Sequence, residues 1–190
     1  MVRLVILGGS GAGKSTQARG LCEHFQIPVI STGDILREAI AESENESEAN
    51  QLGQIARLYI NRGELLPDEV MIDFIRAYLQ EYNLSNGWIL EGYPRTAFQC
   101  EELDFLLESL EQRLSWAVYL QVPEAVMVNR SLGRSLPDDQ PEIVQRRIEL
   151  FYERTIPILE YYDRKRCLLT INGDQPPEFV QQNILEILKA

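Results

Sequence analysis

The 190-residue chain has one histidine, three cysteines and two tryptophans. His24 has no acidic or nucleophilic partner nearby in sequence, so it reads as a surface residue of a helix rather than part of a catalytic set. Cys22, Cys100 and Cys167 are odd in number, scattered and without a C-x-x-C pair. That argues against a disulfide framework or a structural zinc site and fits a reducing cytoplasm. No apolar run approaches the roughly 18 residues of a membrane span. Met1 to Leu7 lacks the length and cleavage pattern of a signal peptide. Positive charge is scarce as well: 18 Lys and Arg stand against 29 Asp and Glu, a net charge of −11 with a pI near 4.6. A chain this acidic is a poor match for duplex nucleic acid or an anionic membrane. Small anionic ligands remain open to it, because a few cations gathered in one cleft can outweigh a negative surface locally.

What is present is a regular alternation. Short apolar runs predict strands at Val2–Leu7, Pro28–Ser31, Trp88–Leu90, Trp116–Leu120 and Cys167–Ile171. Helical periods lie between them. One follows Lys14, with Ala18, Leu21, Cys22 and Phe25 on a common face. A second runs from Leu52 to Ile60, with Gly63 as its C-terminal cap, and a third, opened by Pro67-Asp68, from Met71 to Leu79. A single long helix is predicted through Val144, Ile148, Phe151, Thr155, Ile158 and Tyr162, and a last one after Pro176-Pro177. The fold class is therefore α/β, a five-stranded parallel sheet flanked by helices, in one domain covering residues 1–190. More than fifty residues separate the second and third strands, longer than a plain crossover, so a helical insertion is expected there. The acidic stretch Glu42–Glu48 reads as a solvated loop or a frayed helix end. Gly133 to Gln140 is a candidate flap.

Chemistry enters at Gly8-Gly9-Ser10-Gly11-Ala12-Gly13-Lys14-Ser15, which fits G-x-x-x-x-G-K-[ST] and sits between a buried strand and a helix. Glycines let several backbone N–H groups point at one phosphate, and the helix N-terminus adds partial positive charge. Lys14 would reach the β- and γ-phosphates and Ser15 would offer its hydroxyl to Mg²⁺. After the second strand, Ser31-Thr32-Gly33-Asp34 opens another helix that carries Arg37; helix capping by Thr32 or Asp34 is an equally good reading of these residues. After the third strand comes Glu91-Gly92-Tyr93-Pro94-Arg95-Thr96, followed by Gln99. A carboxylate at Glu91 can hold Mg²⁺, directly or through water. Arg37 and Arg95, from two loops, can clamp a phosphate bidentately, and the Gln99 amide can read a base edge.

These blocks, with Arg62 to Asp68 and Asp138-Asp139 ahead of Arg147, occur in an order that resembles the adenylate kinases of the nucleoside monophosphate kinase family across essentially the whole chain. The resemblance implies a P-loop NTPase architecture and the Mg²⁺-dependent reaction ATP + AMP ⇌ 2 ADP in a cytoplasmic monomer. It implies that Gly9, Ser10, Gly11, Ala12, Gly13, Lys14, Ser15, Thr16 and Arg130 bind ATP, with Arg130 on the adenine. Thr32, Arg37, Gly92, Arg95 and Gln99 would bind AMP, and the backbone of Glu64, Leu65 and Leu66 would cradle its base. Lys14, Arg95, Arg134 and Arg147 would carry the transfer. Residues 32–71 would be a mobile AMP-binding subdomain and residues 130–140 a short lid, without zinc.

Three departures from the family pattern stand out. Leu136-Pro137 occupies the place of a Gly-Arg pair, so the lid is shortened and one phosphate-binding arginine is missing. Losing one such charge can cost roughly 10²–10⁴ in rate. Arg134, Arg146 and Arg154 are candidates to replace it, although arginines placed like Arg146 and Arg154 on a long helix are more often solvated or paired, here with Glu149, Glu153 or Glu160, than catalytic. Glu91 stands where the family has Asp, and Ser15 where it usually has Gly. Two alternatives follow: a kinase of the same fold for another monophosphate, and a weakly catalytic nucleotide-binding sensor.

Overall fold

The five apolar runs form one parallel sheet: β1 (Val2–Leu7), β2 (Val29–Ser31), β3 (Gly87–Glu91), β4 (Trp116–Gln121) and β5 (Leu168–Asn172), in the order β2-β3-β1-β4-β5. The structure, a computed structural model, describes residues 1–45, 51–81, 84, 86–134, 136 and 138–189. Leu4 to Leu7 and all of β3 are buried at every position rather than at every second one. Both faces of the central strands are therefore covered, which is why these strands read as continuous apolar runs. The second strand starts one residue later than predicted. Pro28 has no N–H to give the ladder, and only its carbonyl pairs, accepting from Ile89 at 2.9 Å.

β1 has β3 on one side and β4 on the other, and Glu91 lies beside both Ile6 and Ser31. The loops leaving β1, β2 and β3 thus emerge together, in the crevice where open parallel sheets of this kind hold ligands. The helices are α1 (Lys14–Phe25), α2 (Thr32–Asn45), α3 (Gln51–Ile60), α4 (Asp68–Glu81), α5 (Ala97–Ser109), α6 (Glu124–Leu132), α7 (Pro141–Leu150), α8 (Pro157–Arg164) and α9 (Pro177–Lys189). α2, α3 and α4 lie in the long connection from β2 to β3, and α2 and α3 pack against each other. Residues 42–45 of the acidic stretch extend α2; 46–48 lie outside the described residues, as do 135 and 137 of the expected lid. After α3, Gly63 takes φ +70°, and the amides of Gly63 and Glu64 bond back to Ile60 and Tyr59, the C-terminal turn its position predicted.

The single long helix predicted from Val144 to Tyr162 is instead three pieces. α7 runs into a π-helical turn, Phe151–Thr155, and α8 starts at Pro157. Pro157 cannot donate to the turn before it, and the chain widens so that the Ile156 amide reaches back to Phe151 at 2.9 Å. The widened turn buries Phe151 and Thr155. α5 and α6 were not predicted. α5 has large apolar residues on all sides, Phe98 and Phe105 outward and Leu103, Leu106 and Leu107 inward, so it shows no clean polar face. Its start was nevertheless written in Thr96-x-x-Gln99, where Thr96 Oγ1 accepts from the Gln99 amide at 3.2 Å. The core around β1, β3 and β4 includes Leu4, Ile6, Ile30, Trp88, Ile89 and Leu90, all at most 1% exposed. Truncating one such aliphatic residue to Ala costs about 2–5 kcal/mol.

Candidate active site

The loop between β1 and α1 is shaped by backbone. Gly13 precedes Lys14 at the start of α1, which has no side-chain cap and no acidic residue in its first turn. Its first N–H groups therefore face the crevice without a carboxylate of their own. Gly11, at φ +77°, is where α6 crosses the loop; a Cβ there would collide with the Met127 carbonyl and lie 2.8 Å from Ser131 Oγ. Only glycine allows both that torsion and that approach. Lys14 folds back over the loop, its Nζ donating to the Gly9 carbonyl at 2.9 Å and lying 3.9 Å from Glu91 Oε1. Burial pulls its pKa down to about 8; Glu91 opposes the shift, and the charges of Arg95, Arg134 and Arg147 add to it. Several cations thus converge on one spot.

Across the crevice, polar side chains hold one another. Glu91 is buried. Its Oε2 accepts from Ser31 Oγ at 2.8 Å, and its backbone carbonyl accepts from Thr32 Oγ1 at 3.2 Å. The longer glutamate thus lets one oxygen engage Ser31 while the other faces Lys14. Arg95 donates from Nε to the Gly92 carbonyl at 2.7 Å, while its own carbonyl accepts from Thr155 in the π-helical turn at 3.2 Å. Burial lowers the Arg95 pKa, with Glu91 opposing. Gln99 is 2% exposed and engaged at both ends of its amide: Oε1 accepts from the Arg95 N–H at 2.8 Å and Nε2 donates to Asp68 at 2.8 Å. Asp68 also accepts from Thr96 Oγ1 at 3.1 Å. The Gln99 amide is positioned, but one proton and one lone pair are already in use.

The third set lies at the mouth. Asp138 is bonded by Arg147 and lies 3.7 Å from Arg37 Nη1. Burial alone would raise its carboxyl, but the bond from Arg147 and the charges of Arg147 and Arg37 bring it below the usual carboxylate range. Asp139 takes a two-pronged bond from Arg134, Nη2 at 2.6 Å and Nε at 3.2 Å, and has Arg147 Nη1 at 3.8 Å. Arg134 also donates to Ser10 Oγ at 3.0 Å. Arg37 is shared with Asp34 at 2.7 Å. Arg130 turns the other way, to the Gly173 carbonyl at 3.0 Å and Asp174 at 3.3 Å. Arg146 forks onto Glu64 at 2.8 and 3.3 Å and reaches Glu149 at 3.4 Å. It therefore ties the turn after α3 to α7 instead of entering the crevice.

One cavity of about 430 Å³ is lined by every residue assigned above to ATP, AMP, Mg²⁺ or the transfer except Ala12, while Arg146 and Arg154, the other candidates for the missing lid charge, do not line it. Ala12 lines a smaller space of about 210 Å³ behind the loop, shared with Gly13, Thr16 and Arg130. Lys14, Arg19, Arg37, Arg95, Arg130, Arg134 and Arg147 all line the larger cavity, the Arg130 guanidinium turned away from it, against Glu64, Glu91 and Asp138. An acidic protein has concentrated its cations in one cleft. Ser15 is exposed at its edge, and Glu91 supplies one buried carboxylate. Among the described residues no group of three or more His, Cys, Asp or Glu forms a metal cage. A hydroxyl and a single carboxylate fit Mg²⁺ that arrives already held by phosphates. Sequence reasoning did not find the roles of Asp68, Ser131, Glu64 as a side chain, or Asp138 and Asp139 as partners of the arginines. The contacts of Asp68, Ser131 and Glu64 join residues 31, 121 and 82 apart in the chain, whereas Asp139 and Asp138 meet Arg134 and Arg147 only 5 and 9 residues away. No helix among the described residues is long and apolar enough to cross a membrane.

Comparison with known proteins points the same way. A family model described as adenylate kinase matches residues 6–167. Adenylate kinase 2 of Nostoc sp. strain PCC 7120 is 67% identical over 187 residues, 98% of each chain. Adenylate kinase 2 of Synechocystis sp. strain PCC 6803 is 55% identical over 97% of this chain and 98% of its own. Adenylate kinase 1 of the same Nostoc strain is 42% identical over 97% of each chain.

Proposed function

The chain belongs to the adenylate kinase family, and from that premise we propose how its residues carry out the reversible transfer ATP + AMP ⇌ 2 ADP. The observation that carries the proposal is the convergence of Lys14, Arg37, Arg95, Arg134 and Arg147 on one cavity in a chain of net charge −11. The loop Gly9–Thr16 takes the phosphates of ATP, Lys14 its β- and γ-phosphates, and Arg130 the adenine side. Arg37 and Arg95 clamp the AMP phosphate, with Thr32 and Gly92 beside them. Gln99 and the backbone of Glu64, Leu65 and Leu66 take the base. Mg²⁺, carried in by the phosphates and steadied by Ser15 and Glu91, supplies further neutralisation of phosphate charge.

The AMP phosphate is already an anionic nucleophile, so no strong general base is needed and the transfer is direct and in line. The arginines have no proton to give; they spread stabilising charge around the moving phosphoryl group. Residues 32–71 and the lid at 130–140 close over the nucleotides and exclude water, which separates a kinase from an ATPase. The same reading has the enzyme acting as a cytoplasmic monomer on free nucleotides, with neither nucleic acid nor membrane as partner. The shortened lid motivated a sensor reading. Against it stands Arg134, which reaches the phosphate loop from the lid and supplies a cation on that side. The test is ADP formation from MgATP plus AMP, with CMP, UMP and GMP in parallel and Lys14→Ala as control. The expected result is rapid AMP-selective turnover that the control loses. Binding of both nucleotides without turnover would overturn it.

A further inference from the structure

The phosphate-loop motif leaves its third residue free, yet here that residue makes a specific contact. Ser10 Oγ accepts two hydrogen bonds, one from Arg134 Nη2 at 3.0 Å and one from Ser131 Oγ at 2.9 Å. Ser131 is fully buried in the last turn of α6, the helix that presses on the loop at Gly11. Its hydroxyl is thus fixed on the protein side, and Ser10 is fixed by it. Arg134 stands two residues beyond the end of α6, with a side chain 39% exposed, and its fork rests on Asp139. The Asp139 carboxylate and an incoming phosphate compete for the same fork. Nη2 carries two N–H groups, one given to Asp139 and the other to Ser10, so the Ser10 contact lies outside that fork.

Resting on the functional reading above, we infer that Ser10 and Ser131 are positioning residues that hold Arg134 over the phosphoryl group in transfer, making good the arginine that the shortened lid lacks. When phosphate displaces Asp139, the Ser10 contact keeps one N–H of the guanidinium on the phosphate loop. The fork then swings about a fixed point instead of leaving with the lid. Arg134 is the catalytic group; the hydroxyls of the two serines act only through it, while the Ser10 backbone belongs to the loop that takes the ATP phosphates. Their contribution is to place a charge where it develops in the transition state, so it is read in kcat and not in ground-state binding.

The test is steady-state kinetics on the full-length protein. Ser10→Ala lowers kcat about tenfold, while KM for ATP and for AMP stays within about twofold. Ser10→Thr, which keeps the hydroxyl, restores most of the loss. In an Arg134→Ala background, Ser10→Ala has no further effect. Ser131→Ala gives a smaller loss of the same kind and reads the relay from its buried side if the loop variant does not fold. Unchanged kcat in Ser10→Ala, or losses that multiply in the double variant, would overturn the inference. Absence of ADP formation by the unsubstituted protein would refute the functional reading itself, whereas turnover that ignores Ser10 would refute only the positioning role.

Discussion

On the side of β1, the crevice is lined chiefly by backbone: a glycine loop, the uncapped start of α1 and one lysine folded over both. On the side of β2 and β3, it is lined by side chains that already hold one another, Gln99 with Asp68 and Arg95, Ser31 with Glu91, Thr32 with the Glu91 carbonyl. Backbone N–H groups suit the invariant part of a nucleotide, the phosphate chain. Interlocked side chains suit discrimination, because a wrong base leaves buried polar groups unpaired. On the proposed reading, the contrast assigns capture of the ATP phosphates to one side and choice of monophosphate to the other.

The largest expected effect breaks the first side. Lys14→Ala should lower kcat about 10³-fold, since the charge it removes serves the transfer itself. Steady-state assays and calorimetric ATP titration separate this loss from any loss of binding. Gln99→Leu should strike only the second side. It strands the Arg95 N–H and leaves Asp68 with Thr96 alone, so kcat/KM for AMP should fall about 10–100-fold and discrimination against CMP should shrink, with KM for ATP unchanged. Equal loss for both nucleotides would collapse the contrast.

Acidity gives a finer probe. The proposed function needs Lys14 as a cation, and its pKa is lowered to about 8, so protonated enzyme dominates below that pH and is lost above it. For the free enzyme, kcat/KM for ATP should therefore fall by about tenfold per pH unit beyond pH 8, well before an ordinary lysine would titrate. The smallest effect belongs to Arg146. Both partners of its bridge to Glu64 are 37% exposed, which screens the pair. Arg146→Ala should raise KM for AMP no more than about threefold and leave kcat unchanged. Exchanging the two charges in Glu64→Arg with Arg146→Glu should restore it.

How much of this was legible depended on the range of the interaction. β1 and β3 announced themselves because burial on both faces writes a continuous apolar run, and the phosphate loop because its residues are contiguous. Gly63 was readable as a cap because a positive φ after a helix favours glycine. The break at Pro157 was legible in principle, since proline cannot continue the hydrogen-bond ladder, but the apolar period ran on through it. α5 hid because Phe98 and Phe105 blur its polar face. In the site, the cations could be named one by one, but not their partners. Arg134 meets Asp139 within one lid, while Ser10 lies 124 residues away. Arg146, a candidate for the missing lid charge, is instead 82 residues from its partner Glu64. No local pattern encodes such meetings.

Asp138 and Asp139 carry a further consequence. Because Arg37, Arg134 and Arg147 already face carboxylates of their own chain, the proposed function has a nucleotide exchange one anion for another at each of them. The affinity gained is the difference between two good contacts, not the whole of one. Both ADP molecules then depart from arginines that have a carboxylate within a few ångströms to return to. On that proposal, a moderate grip and prompt product release follow from the same residues that assemble the charge for transfer.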